Sequence, residues 1–133
     1  FVAEWLRKHL PSGYSLSAKE NHYITDDKSL SYEIDIVIYD PQGNPLAVLD
    51  TKYKNKELPL TSDIFQIAYY ANTKNCREAI LVYPSSRIQK IQTEKSGVSI
   101  RSLFFDLDAN LEESGKAFLS DLLALNTAFA YKA

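Results

Sequence analysis

The stretch that decides the fold is residues 32–53, YEIDIVIYDPQGNPLAVLDTKY. Its two halves, Tyr32–Tyr39 and Leu46–Tyr53, are rich in β-branched and aromatic residues, and both read as strands. Between them Asp40-Pro41-Gln42-Gly43-Asn44-Pro45 is a dense turn signal, so the pair is expected to form a hairpin. Strand side chains alternate between faces. Leu46, Val48, Asp50, Lys52 and Lys54 should share one face, and Ala47, Leu49, Thr51 and Tyr53 the other. If the turn centres between Gln42 and Gly43, Asp35 lies directly opposite Asp50.

Two like charges across a ladder are destabilising. A bound cation converts that repulsion into ligation. Two carboxylates, Asp35 and Asp50, with a nearby backbone carbonyl such as that of Thr51, make a hard oxygen site of the kind Mg²⁺ or Mn²⁺ accepts, with waters completing the shell. Lys52 beside it adds a positive charge that can orient a water or stabilise charge on a phosphate. The plain alternative is an ordinary hairpin ending in solvated charges, because Asp-X-Lys alone is a weak pattern.

Working outward, residues 1–10 read as an amphipathic helix with Val2, Trp5, Leu6 and Leu10 on one face, ended by Pro11-Ser12-Gly13. Tyr14–Ile24 reads as a strand. After a charged loop, Lys54–Leu60, a helix is expected to about Lys74, capped by Thr61 or Ser62, with Asp63 in its first turn. Its core stripe is Ile64, Ile67, Ala68 and Ala71; Asp63, Gln66 and Tyr70 fall together on another side. That side either faces the charged end of the hairpin, or Gln66 is simply exposed and Tyr70 packs at the rim. Glu78–Tyr83 reads as a buried strand, Ser85–Gly97 as a polar segment with room for a short helical turn, and Val98–Phe105 as a strand. Leu111–Phe129 reads as a helix presenting Phe118, Leu122, Leu125 and Phe129. The order α-β-β-β-α-β-β-α implies an α/β (α+β) domain, a mixed sheet flanked by helices.

The 133 residues suit a single domain, residues 1–133, and 45% apolar content suffices for a core. The chain opens on Phe1 inside a helical pattern, as expected of a piece of a longer protein. With 15 basic against 17 acidic residues the net charge is −2, so autonomous tight binding of nucleic acid by charge is disfavoured. Local basic clusters remain: Lys52, Lys54 and Lys56, and Arg87 with Lys90. The single cysteine, Cys76, excludes an internal disulfide and suits a reducing cytoplasm. With only His9 and His22 beside it, a thiol protease or a zinc site is disfavoured. No signal peptide, lipidation motif or membrane-length apolar run is present in the sequence.

Taken together, Asp35 in Glu33-Ile34-Asp35-Ile36, then Asp50-Thr51-Lys52, then Gln66-Ile67-Ala68-Tyr69-Tyr70 resemble the PD-(D/E)xK nuclease superfamily: an Asp, then (D/E)-x-K, then a helix with Q-x-x-x-Y. The sequence is more closely similar to the nuclease domain of the McrC family. That similarity is carried by Leu49-Asp50-Thr51-Lys52-Tyr53-Lys54, Ser62–Ala71 and Leu81-Val82-Tyr83-Pro84, with Phe1–Leu6 like the family's first helix. It covers residues 1–84 or so. Ile34 replaces the usual Pro before the first Asp. The family's first-helix Glu aligns just upstream of Phe1; Glu4, Glu20 and Glu33 are nearby acids without an assigned part. The resemblance implies a restriction-endonuclease-like fold and Mg²⁺- or Mn²⁺-dependent hydrolysis of DNA. It implies Asp35, Asp50, Lys52, Gln66 and Tyr70 as catalytic residues, and an AAA+ GTPase partner of the McrB type. Two other readings stay open: a catalytically silent structural or DNA-binding module, and a nuclease of another branch, RecB-like or resolvase-like.

Overall fold

A computed structural model describes residues 1–52, 61–84 and 91–132, with side chains described as far as Leu123. The expected end of the hairpin at Tyr53, the Lys54–Leu60 loop, the basic residues Lys54, Lys56, Arg87 and Lys90, and the packing of Leu125 and Phe129 lie outside the described residues.

The elements are α1 (Val2–His9), β1 (Ser15–Tyr23), β2 (Ser31–Tyr39), β3 (Pro45–Thr51), α2 (Thr61–Thr73), β4 (Glu78–Tyr83), β5 (Gln92–Lys95), β6 (Val98–Phe104) and α3 (Leu111–Lys132). Six strands form one sheet in the order β1-β2-β3-β4-β6-β5. The hairpin pairs β1-β2 and β2-β3 are antiparallel, β3-β4 and β4-β6 are parallel, and β5 returns antiparallel to β6. This is the mixed α+β architecture expected, consistent with a restriction-endonuclease-like fold.

Helices cover both faces. On one, α2 contributes Ile67, Ala68, Tyr70 and Ala71 to a core with Ile34, Val37, Val48, Ala79, Leu81 and Tyr83. On the other, α1 contributes Val2, Trp5 and Leu6, and α3 Phe118 and Leu122, against Ile36, Ile38, Ala47, Leu49, Ile80 and Val82. Strand β4 is central, parallel to both neighbours and buried along its whole length, which is why it reads as a continuous apolar run. The α1 and α3 helices meet closely because Gly115 has no side chain: a Cβ there would lie 2.1 Å from Cζ2 of Trp5.

Three expectations need correction. The polar segment before Gly97 contains a strand, β5, so the order gains an element. Gln92–Lys95 is exposed at every position and carries no alternation to reveal it. Thr61 and Ser62 sit inside α2 rather than capping it. Leu46 does not share a face with Val48. The pairing passes from Ile38↔Ala47 to Tyr39↔Pro45, leaving Leu46 as an extra, bulged residue, and it packs on the α1/α3 side.

Candidate active site

The hairpin turn is closed by Asp40, whose side chain accepts the Gln42 and Asn44 backbone N–H groups at 3.0 and 2.9 Å, with Gly43 at φ +83°. That turn sets the register Ile36↔Leu49 and Val37↔Val48. Carried one step on, the register sets Asp35 opposite Asp50, and here the backbone ladder gives way to a side chain. The Thr51 N–H donates to Asp35 Oδ2 at 3.0 Å, and the Thr51 hydroxyl donates to the same oxygen.

A local irregularity frees Asp35 for this contact. The β1-β2 register steps from Ala18↔Ile36 to Glu20↔Ile34, passing over Lys19 and Asp35, and Lys19 has φ +53°. Ile34 faces α2 while Ile36 faces α1 and α3, so the alternation of β2 changes phase at Asp35. Thr51 faces it for a backbone reason. The Lys52 N–H donates to the Val82 carbonyl on β4 at 2.8 Å, so the Thr51 N–H and carbonyl turn the other way, toward β2.

Asp50 and Lys52 project on the α2 face, as Val48 does. Lys52 Nζ lies 2.6 Å from Asp50 Oδ2 and 3.2 Å from Asp63 Oδ1 in the first turn of α2. Burial pushes the Asp50 carboxyl above the ordinary aspartate range; Lys52 opposes this, and the charges of Asp35 and Asp63 reinforce it. Burial works against the Lys52 ammonium, but Asp50 and Asp63 outweigh it and raise its pKa. Lys52 is therefore a fixed cation rather than a base at neutral pH.

Tyr70 is buried in the α2 core and Gln66 is exposed, as in the plainer of the two expectations. Yet the pair is connected to the site. Burial raises the Tyr70 phenol, the Asp50 charge adds to this, and a hydrogen bond with Gln66 acts in the opposite sense. Tyr83, at the end of β4, was not singled out from sequence as a site residue. Its hydroxyl is buried without a hydrogen-bond partner among the described residues, and it is pushed up to about 12 by burial and by the Asp63 and Asp50 charges. Asp63 was expected in the first turn of α2, on the same side as Gln66 and Tyr70, and its contact with Lys52 brings that side to the charged end of the hairpin. At these strand ends, where β3 is antiparallel to β2 and parallel to β4, a small, mainly apolar cleft opens beside the acids. It is lined by Thr51, Lys52, Tyr83 and Pro84 together with Leu107 and with Val2, Val82 and Phe105 from the α1/α3 side. Ligands favour such a change of direction at the carboxyl ends of strands.

The other acids go elsewhere. Glu4 pairs with Arg7 at 2.9 Å on α1, and Glu33 is exposed. Glu20 accepts from Lys74 Nζ at 2.7 Å and from the Tyr39 hydroxyl at 2.8 Å, and His22 Nε2 lies 2.6 Å away.

Among the described residues no group of three or more His, Cys, Asp and Glu side chains is placed to hold a metal. A cation would rest on two carboxylates, a backbone oxygen and water, as Mg²⁺ does. The donor set suits it. Both Thr51 contacts fall on Asp35 Oδ2 and the Lys52 contact on Asp50 Oδ2, so each carboxylate has a second oxygen outside these contacts. The raised carboxyl of Asp50 is what a neighbouring cation would relieve.

Residues 1–84 match the sequence family described as McrBC 5-methylcytosine restriction system component. The chain belongs to this family. The match spans α1 to β4 and so takes in every candidate site residue named above. No curated protein matches the chain. Among the described residues no helix is long and apolar enough to cross a membrane.

Proposed function

We propose that this domain is the DNA-cutting module of a McrBC-type restriction system, hydrolysing phosphodiester bonds with Mg²⁺ or Mn²⁺. The observation that carries the reading is the convergence, in a member of this family, of Asp35 from the middle of β2 with Asp50 and the Lys52 ammonium at the end of β3. Asp35, Asp50 and the Thr51 carbonyl hold the ion. Bound there, it supplies Lewis acidity toward a phosphoryl oxygen. Lys52 donates to the phosphate and offsets the charge that builds on it in the transition state. Asp63 keeps Lys52 extended toward the site until substrate arrives. Tyr70, with Gln66 on its hydroxyl, fixes the wall beside Asp50.

Loading depends on a partner. Phosphate neutralisation supplies most non-specific affinity, and the net charge of −2 gives little of it. An AAA+ GTPase subunit of the McrB type, acting in the cytoplasm, would hold the domain on modified DNA. The test is cleavage of methylated plasmid in Mn²⁺ by the chain with and without such a subunit. Nicking or linearisation that needs the metal, the partner and Lys52 supports the reading. Intact plasmid under all conditions, with DNA still bound, turns it into a silent DNA-binding module.

A further inference from the structure

Beside the candidate site lies a column of rings that the chemistry above leaves almost unused. His22 stacks on Tyr32 with centroids 5.4 Å apart and 19° between planes, and Tyr32 stacks on Tyr70 at 5.0 Å and 8°. Tyr69 stands edge-on to both, at 66° to Tyr32 and 60° to Tyr70. The inner end of the column is buried, where Tyr70 feels the charges of Asp50 and Lys52. Tyr69, beside the column, is open to solvent and keeps 48% of its surface exposed. One turn earlier on α2, Phe65 is 57% exposed, and Lys95 Nζ lies 5.9 Å from its ring centroid.

Single exposed apolar side chains need no explanation. Two rings at i and i+4 on one helix face are neighbours, and here one is braced by a stacked column and the other carries a cation. Both large apolar groups that α2 exposes are rings, which suits π-stacked bases and their phosphates better than an aliphatic protein surface. Aromatic faces interleaved with cations are how proteins hold single strands without reading sequence. The bracing matters because a ring already fixed by its neighbours loses little freedom on stacking.

Resting on the nuclease reading, we propose that Tyr69, braced by Tyr32 and Tyr70, stacks on a nucleobase of the DNA strand entering the site, so that the strand is cut where it is locally unstacked. Phe65 with Lys95 offers a second, outer contact on the same path.

The experiment uses the full chain with single-stranded and duplex oligonucleotides carrying 2-aminopurine, at low salt with and without Ca²⁺. Binding is read by anisotropy and stacking by quenching of the fluorescent base. Wild type is expected to bind the single strand and quench it. Tyr69→Ala and Tyr69→Leu should lose the quench and about tenfold in affinity, while Tyr69→Phe retains both. Wild-type binding with unchanged affinity and quench in Tyr69→Ala overturns the stacking role and leaves the nuclease reading standing. A folded wild type that binds no oligonucleotide even at low salt overturns the stacking proposal, while the nuclease reading still stands or falls on plasmid cleavage with the partner subunit. A Tyr69→Ala effect confined to self-association, with DNA binding unchanged, assigns the surface to a second copy of the chain and overturns the proposal.

Discussion

Two carboxylates on the α2 side of the sheet each meet a lysine at close range, Glu20 with Lys74 at 2.7 Å and Asp50 with Lys52 at 2.6 Å. Their acidities move in opposite directions. At Glu20 burial raises the pKa, but Lys74, Tyr39 and His22 overcome it and hold the group at about 2. At Asp50 burial prevails, the charges of Asp35 and Asp63 add to it, and Asp63 shares the one ammonium, that of Lys52. The difference lies in the company each keeps. A carboxylate ringed by donors is settled and ties β1, β2 and the turn after α2 together. One ringed by other acids around a single lysine remains short of positive charge. That shortage opposes folding and favours a cation or a phosphate-bound metal.

The sharpest way to break this contrast is to remove each group and measure cleavage. Lys52→Ala should lower the rate by about 10²–10³, the usual loss for one electrostatic contact to a transition state. It should largely keep metal binding, because an ammonium is not a metal ligand. Asp50→Asn should lose cleavage and weaken metal binding as well. Glu20→Gln should cut at the wild-type rate once the folded fraction is matched. Equal losses at Glu20 and Lys52 would mean that the two clusters act as one site.

Stability should rank the two clusters the other way. Glu20→Gln leaves Lys74 without its carboxylate and should cost about 2 kcal/mol at neutral pH, the scale of a hydrogen bond to a charged group. The pH dependence follows from the lowered pKa. With the folded group at about 2 against an ordinary 4.5, the contribution is complete above about pH 4.5 and is lost as pH falls toward 2. Melting curves of wild type and Glu20→Gln should therefore converge across that window. A gap that stayed constant on acidification would show that the charge of Glu20 is not what holds the clasp.

How far each cluster was legible from sequence follows from how local its contacts are. The hairpin register came from one turn and the period-2 alternation, so the facing of Asp35 and Asp50 could be read. The i, i+4 spacing of Gln66 and Tyr70 was local as well. The Glu20 clasp draws Tyr39 from 19 residues away and Lys74 from 54, and no periodic signal links such positions. Leu46 was misplaced because a bulge breaks the alternation without changing composition. The phase change at Asp35 stayed hidden because it depends on Lys19 in another strand. β5 was missed because an edge strand exposed at every position has no buried face to mark it.

The smallest expected effect is also the one that tests the contrast most directly. In EDTA, Asp50→Asn removes an ionised group whose folded pKa is raised. A raised acid binds its proton more tightly in the folded state, so its ionisation costs stability as pH rises through the folded pKa, and that cost persists at neutral pH. The substitution also loses the Lys52 pairing, but Lys52 keeps Asp63 at 3.2 Å. The two effects nearly cancel, and Asp50→Asn should be as stable as wild type or more so, by no more than about 1 kcal/mol. Asp35→Asn still offers an oxygen to the Thr51 N–H, so the double variant should fold. Adding Mg²⁺ then separates the cases. A ligand that binds only the folded state raises the melting temperature with its concentration. Wild type should rise, the single variants less, and the double variant hardly at all. An equal rise in wild type and double variant would place the ion elsewhere, and Asp50 would then be a strained partner of Lys52 with no ligand to relieve it.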